Sequence, residues 1–299
     1  MHAFGGSWTR TKLAVLKKYL EAYMTLMSGN PRARHFRKIY VDAFAGSGEV
    51  YLRSARLSGS SEESSEDDTV WPIEGSAKIA LDLSTPFDEY LFVEKRRRNI
   101  ELLNELRQQH TLRDRIRIEH AESNAFVKEW IRTVDWRKCR ALVFLDPFAL
   151  QVDFETIAAL GSTQAVDLWL LFPLSAVNRV LVRRGKPMEK WKQRLTRFFG
   201  TAEWEQAFYQ EGQQPDLFTG SVQDEKVVKP EGVTRYFNER LGKHFAMVVE
   251  EPMTLKNSSG ANIFVLMFAS ANPKGAPTAV KIARDIIQRE LRDSNMRSK

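Results

Sequence analysis

Three acids, each closing an apolar run, are the residues of this chain whose types and spacing could do chemistry. The first lies in Asp42-Ala43-Phe44-Ala45-Gly46-Ser47-Gly48, directly after Ile39-Tyr40-Val41. Small residues in such a strand-to-glycine turn let backbone amides approach a ligand closely. A dinucleotide site asks for a third glycine where this sequence has Tyr51, and phosphate seats avoid an inward carboxylate. The ligand suited to Asp42, Phe44, Ala45, Gly46, Ser47 and Gly48 therefore carries a cation or hydroxyls. A tight turn leaving a buried strand is the plainer account of the same glycines.

The second acid, Glu94, ends the run Tyr90-Leu91-Phe92-Val93. A carboxylate closing the second strand of a doubly wound sheet can accept hydrogen bonds from both ribose hydroxyls of a nucleoside. Glu94 lies farther from the glycines than the usual ~20 residues, and an inserted polar loop explains much of the excess. A surface glutamate that favours a helix dipole is the competing account. Past Ile116 and Ile118, Glu122, Ser123 and Asn124 are candidates either to meet an adenine edge or, for Ser123 and Asn124, to cap the next helix.

The third acid stands in Asp146-Pro147-Phe148, after Ala141-Leu142-Val143-Phe144-Leu145. Proline stiffens the backbone beside the acid and leaves carbonyls free to accept hydrogen bonds. A carboxylate with a carbonyl can hold an amino group while the Phe148 ring stacks on a flat base; a strand-ending Asp-Pro with a core Phe is the alternative.

The elements needed to position these acids are legible in the pattern. Apolar residues at Leu13, Leu16, Leu20, Tyr23, Met24 and Met27 predict a helix over Trp8 to Met27, ended by Gly29, Asn30 and Pro31. Its polar start, Ser7 to Lys12, either packs on the sheet or closes over a ligand. Further helices are expected at Ala77 to Leu83, through Ile100, Leu103 and Leu106, through Phe126 to Ile131, at Phe154 to Leu160 and at Ala279 to Leu291. Val166 to Phe172 reads as a fifth buried strand, and Phe245 to Glu250 with Ile263 to Ala269 as a terminal hairpin.

The chain has 299 residues, a net charge of +7 and one cysteine. That length suits one large domain, or a core domain plus a subdomain, and the single Cys139 leaves no internal disulfide and no cysteine-based zinc site. No run is long and apolar enough for a membrane span, no metal site is indicated, and without a signal-peptide pattern a cytoplasmic protein is expected. Arg179 to Arg197 holds eight basic residues against Glu189, equal to the whole net charge. Arg183, Arg184, Lys190 and Arg194, interleaved with Trp191, Phe198 and Phe199, suit nucleic-acid phosphates and unstacked bases, or form the basic outer face of a packed helix. Residues 179–232 are expected to form a helical insertion or subdomain. Residues 55–72, with Glu62, Glu63, Glu66, Asp67 and Asp68 among serines, are expected to be a disordered acidic loop.

The Asp42 to Gly48 motif resembles the first motif of Rossmann-like methyltransferases, which bind S-adenosylmethionine, a ligand with an ammonium and a sulfonium and no phosphate. Asp146-Pro147-Phe148 resembles the Asp/Asn-Pro-Pro-Tyr/Phe motif of enzymes that methylate exocyclic amines of adenine or cytosine, with one proline absent. Across nearly the whole length the chain resembles the three-Cys-motif partner (TcmP) family, through Lys18-Tyr19-Leu20, Val41 to Gly46, Phe144 to Phe148, Asp167-Leu168-Trp169 with Phe172-Pro173-Leu174, and Phe198-Phe199-Gly200-Thr201 before Trp204. The resemblance implies an α/β, Rossmann-like class I methyltransferase fold: a mostly parallel twisted sheet, an antiparallel C-terminal hairpin and helices on both faces. It also implies S-adenosylmethionine as cofactor and a partner protein with a three-cysteine motif, of iron-sulfur or radical type. Methylation of a nucleic-acid base and a cofactor-binding scaffold role are both open on these residues; nicotinamide chemistry is disfavoured by Tyr51.

Overall fold

The structure, a computed structural model, describes residues 7–52, 71–215 and 222–297. The acidic stretch expected within 55–72 lies, up to residue 70, outside the described residues.

The chain begins with helix α1 (Ser7–Gly29) and strand β1 (Arg37–Asp42), followed by a small hairpin, β2 (Glu49–Leu52) and β3 (Trp71–Glu74). Helix α2 (Ser76–Leu81), strand β4 (Glu89–Glu94), helix α3 (Arg97–Gln109), strand β5 (Ile116–His120), helix α4 (Ser123–Thr133) and strand β6 (Cys139–Leu145) come next. Helix α5 (Phe154–Ser162), strand β7 (Val166–Phe172) and helices α6 (Leu174–Val180), α7 (Glu189–Phe199) and α8 (Trp204–Phe208) follow. The last part holds a hairpin, β8 (Tyr209–Pro215) and β9 (Val222–Lys226), helix α9 (Pro230–Gly242), strands β10 (Met247–Val248), β11 (Met253–Lys256) and β12 (Asn262–Ser270), and helix α10 (Ala276–Arg297).

The main sheet has the order β10-β12-β7-β6-β1-β4-β5, with β11 also paired to β12. Strands β5, β4, β1, β6 and β7 are mutually parallel, and β12 runs antiparallel to β7. Every residue of β7 is buried, as is nearly every residue of β1 and β6, which is why these strands read as mainly apolar runs without alternation. One face of the sheet packs on α1, α2 and α10 through residues such as Tyr19, Leu20, Ala80 and Ile287; the other packs on α4, α5, α7 and α9 through Val127, Ile157, Phe198 and Phe237. Strand order reverses between β1 and β6, so the crevice at their carboxyl ends is where an open α/β sheet takes its ligand.

Two expectations change. The terminal hairpin is formed by β11 and β12 across Asn257 to Gly260, while the predicted Phe245 to Glu250 strand shrinks to β10 at the far end of β12. Glu250, Glu251 and Pro252 divide this edge strand, since proline cannot donate to a ladder. The 179–232 stretch, expected as a helical insertion or subdomain, holds α7 and α8 and also the β8–β9 hairpin, whose polar sequence carries no apolar alternation. Gly200 ends α7 with φ 72° and donates its amide to Thr196 O.

Candidate active site

Parallel register brings the three acids to one edge. Asp42, at the end of β1, is aligned with Phe92 on one side and Phe144 on the other, and Glu94 and Asp146 each stand two residues beyond that row. The three carboxylates thus occupy the carboxyl ends of adjacent strands on both sides of the point where strand order reverses.

The glycine turn is held from beneath by these acids. Gly46 and Gly48 have φ of 63° and 80°, a conformation that side-chain-bearing residues rarely adopt. Gly46 donates its amide to Glu94 Oε2 (3.0 Å), and Arg96 donates to Glu94 Oε1 (2.7 Å), so Glu94 sits at the head of the turn. A Cβ placed on Gly46 would meet open space, whereas one on Gly48 would come within 3.1 Å of Leu106 Cδ2 on α3. The open side of Gly46 is thus flanked by the Glu94 carboxylate.

The hairpin between Gly48 and Gly75 is an excursion. Gly75 donates its amide to Gly48 O (3.0 Å), and α2 begins at Ser76, so the helix of the first β-α unit resumes there. The residue that follows Gly48 in space is therefore Gly75. Tyr51 belongs to β2, where it pairs with Pro72, and is not the third position of the turn. Without the excursion Glu94 falls about 20 residues past the turn, the usual spacing for a ribose acid.

Asp42 is fully buried and accepts from Ser76 Oγ (2.5 Å) and the Phe44 amide (3.3 Å). Burial, reinforced by the nearby Asp146 charge, pushes its carboxyl up to about 7, against the opposing pull of Ser76, the Phe44 amide and Lys12. Asp146 is paired with Lys12, a lysine of α1 whose side chain is only 6% exposed. The polar start of α1 thus reaches the site. Thr9, one turn before Lys12, and Tyr40 on β1 each carry a buried hydroxyl without a hydrogen-bond partner among the described residues.

Pro147 is buried and Phe148 is 61% exposed, its amide donating to Gln151 Oε1 (2.9 Å). Ala149 then takes φ 59°, a strained backbone for alanine immediately after the motif. Phe148 is thus an exposed ring and not the core residue of the alternative account.

The β5–α4 residues brace the site. The helix cap is Glu122, which accepts from the Ala125 amide, and not Ser123 or Asn124. Ser123 Oγ donates to Ala43 O, behind the turn. Asn124 donates to Glu122 Oε1 and Gln151 O, and accepts from the Asp153 amide and Thr156 Oγ1, tying this loop to the one after Asp146. Backbone amides and Asn124 draw the Glu122 carboxyl below its ordinary range despite partial burial. Asp167 lies at the opposite, amino end of the sheet, where it accepts from Tyr19 and Ser270.

Much of the basic stretch is paired within the chain. Lys186 meets Asp224 (3.1 Å), Lys192 meets Glu205 (3.0 Å), Arg197 meets Asp153 (2.6 Å), and Arg184 lies 4.0 Å from Glu225. Arg183 and Lys190 are exposed, and Arg194 reaches Leu150 O at 3.5 Å, beside the Asp146 loop. Cavities of about 620 and 580 Å³ lie elsewhere, and neither is lined by Asp42, Glu94 or Asp146. Among the described residues, no helix is long and apolar enough to cross a membrane.

Similar arrangements occur in solved structures. The chain resembles the crystal structure of protein LPL1258 from Legionella pneumophila, with a TM-score of 0.52 over 94% of this chain and 91% of that one at 12% identity. The likeness is one of fold. Weaker likenesses are to spermidine synthase from Thermotoga maritima (TM-score 0.40, 13% identity, 89% and 60% covered) and to a Listeria monocytogenes structure assigned as an S-adenosylmethionine-dependent methyltransferase (0.36, 10%, 84% and 97%). No protein-family model matches the chain, and no curated protein does. The parallel sheet, its order and its antiparallel C-terminal hairpin are those of the Rossmann-like methyltransferase fold.

Proposed function

We propose that the protein is an S-adenosylmethionine-dependent methyltransferase acting on an amino group, with a nucleic-acid base the leading acceptor. The observation that carries this reading is the gathering of Asp42, Glu94 and Asp146 at the carboxyl ends of the adjacent strands β1, β4 and β6, with Glu94 bonded to the Gly46 amide. Glu94 holds the ribose hydroxyls, and the turn from Phe44 to Gly48 holds the rest of the nucleoside. The bound cofactor supplies an electrophilic methyl group. Asp146, with the backbone carbonyls beside Pro147, accepts hydrogen bonds from the acceptor amine and aims its lone pair; Phe148, exposed beside it, stacks on the base. Orientation then supplies most of the rate. Lys12 holds Asp146 in the free protein, and the acceptor amine takes its place.

Labelled methyl transfer to DNA and RNA tests this. Asp146→Ala abolishes labelling and retains cofactor affinity; equal labelling by that variant removes Asp146 from the mechanism.

The Lys12–Asp146 pair and the missing second proline favour one further reading: a cofactor-binding partner of a three-cysteine-motif protein, in keeping with the TcmP resemblance. Co-purification of the two chains, with turnover by neither alone, would support it over the first.

A further inference from the structure

The basic stretch divides by what its charges meet. Lys186, Lys192 and Arg197 are paired with acids of the chain, whereas Lys190 and Arg194 on α7 have no acid within ion-pair distance among the described residues. Four residues apart, these two stand on one face of the helix, and Arg197, three further on, shares it. Arg194 Nε reaches Leu150 O at 3.5 Å and Arg197 meets Asp153 at 2.6 Å, so this face lies along the segment that follows Asp146. From Arg194 to Lys190 the unpaired charge leads away from that segment along the helix.

Exposed apolar groups accompany the cations and are a separate observation. Phe148 is 61% exposed, two residues past Asp146, and stands next to the strained φ of 59° at Ala149. Met188, the residue before α7, is 72% exposed. Trp191, one turn of the helix from Arg194, is partly exposed, with its ring centre 6.0 Å from Arg194 Cζ. Large exposed apolar side chains set among unpaired cations mark an interaction surface for a partner that stacks and carries negative charge.

That partner must offer flat faces and spaced anions. A base inside a duplex has both faces covered and its exocyclic amine engaged in pairing, out of reach of Phe148 and Asp146. An unpaired base offers its face to the ring and its amine to the acid, while the phosphates next to it run along Arg194 and Lys190. We infer that this face of α7 is the docking surface for single-stranded nucleic acid flanking the target base. The inference rests on the acceptor class proposed above.

Fluorescence anisotropy with a labelled single strand of adenine and cytosine, about twelve nucleotides long, tests it beside the same strand annealed to its complement. The single strand binds at least about tenfold more tightly than the duplex at equal salt. Lys190→Gln and Arg194→Gln each reduce the steepness of log K against log salt by about 0.7, and Phe148→Ala weakens binding about fivefold or more. Lys192→Gln, on the opposite face and paired with Glu205, leaves the steepness unchanged. Equal affinity for the duplex, unaltered salt dependence in Lys190→Gln and Arg194→Gln, the same loss in Lys192→Gln, full affinity in Phe148→Ala, or equally effective competition by polyglutamate would each overturn the surface. Binding needs no turnover, so the two readings fail separately: single-strand binding without methyl transfer defeats the reaction and leaves the surface, and methyl transfer without single-strand binding does the reverse.

Discussion

Asp42 should be a residue that the fold tolerates at a cost. Its carboxyl is fully buried and lifted from 3.8 to about 7, first by burial and then by the Asp146 charge. Because the folded state holds this proton more tightly than the unfolded chain, the Asp42 contribution to stability falls as pH rises from about 4 to about 7, and is level above that. A gap of this size corresponds to roughly 4 kcal/mol, and burial leaves no solvent to screen it. Asp42→Asn removes the titration while keeping an acceptor for the Phe44 amide, and the Ser76 hydroxyl can turn to accept from the new amide nitrogen. Chemical denaturation of both proteins from pH 4 to pH 8 reads the difference. The variant should match its parent near pH 4 and exceed it by up to about 4 kcal/mol at pH 8, while binding S-adenosylmethionine less tightly. A variant less stable than its parent at pH 8, or a difference that does not change with pH, would refute the buried, proton-holding carboxyl.

Two further perturbations probe the elements around the site. Gly200→Ala places a Cβ 2.5 Å from Phe154 in a left-handed backbone, so the variant should lose about 1–3 kcal/mol in urea unfolding; an unchanged midpoint would mean that α7 is not closed against α5 as described. Lys12→Met leaves the partly buried Asp146 without its cation and should cost about 1–3 kcal/mol at pH 7; no loss would show that the pair contributes nothing to the fold.

The parallel half of the sheet was readable because burial on both faces writes itself as runs such as Ala141 to Leu145, and the Asp42 to Gly48 turn because glycine is needed at its two positive φ angles. The insertion before Gly75 was readable as a polar loop, but its β2–β3 pairing was not, since Trp71-Pro72-Ile73-Glu74 shows no strand alternation and a proline besides; that pairing puts Gly75, not Tyr51, next to Gly48. Helix α1 was legible from its apolar spacing, but that Lys12 would be buried against Asp146 is a matter of how the helix lies on the sheet, which a pattern of three and four does not specify. The charge of the basic stretch is plain in the sequence but its pairing is not, since Asp153 before α5, Glu205 on α8 and Asp224 on β9 all lie outside the run of basic residues that they meet. The cap of α4 is Glu122, one residue before Ser123 and two before Asn124, the two caps offered by the sequence, because a glutamate cap is less usual than serine or asparagine.

The carboxylate crevice is tested most directly by titrating the protein with S-adenosylhomocysteine, beside Glu94→Ala. The wild type should bind one equivalent with a Kd in or below the micromolar range, and the variant, having lost the acid at the head of the Gly46 turn, should bind at least about tenfold more weakly. No binding by the wild type at high micromolar ligand, or equal affinity in the variant, would contradict it.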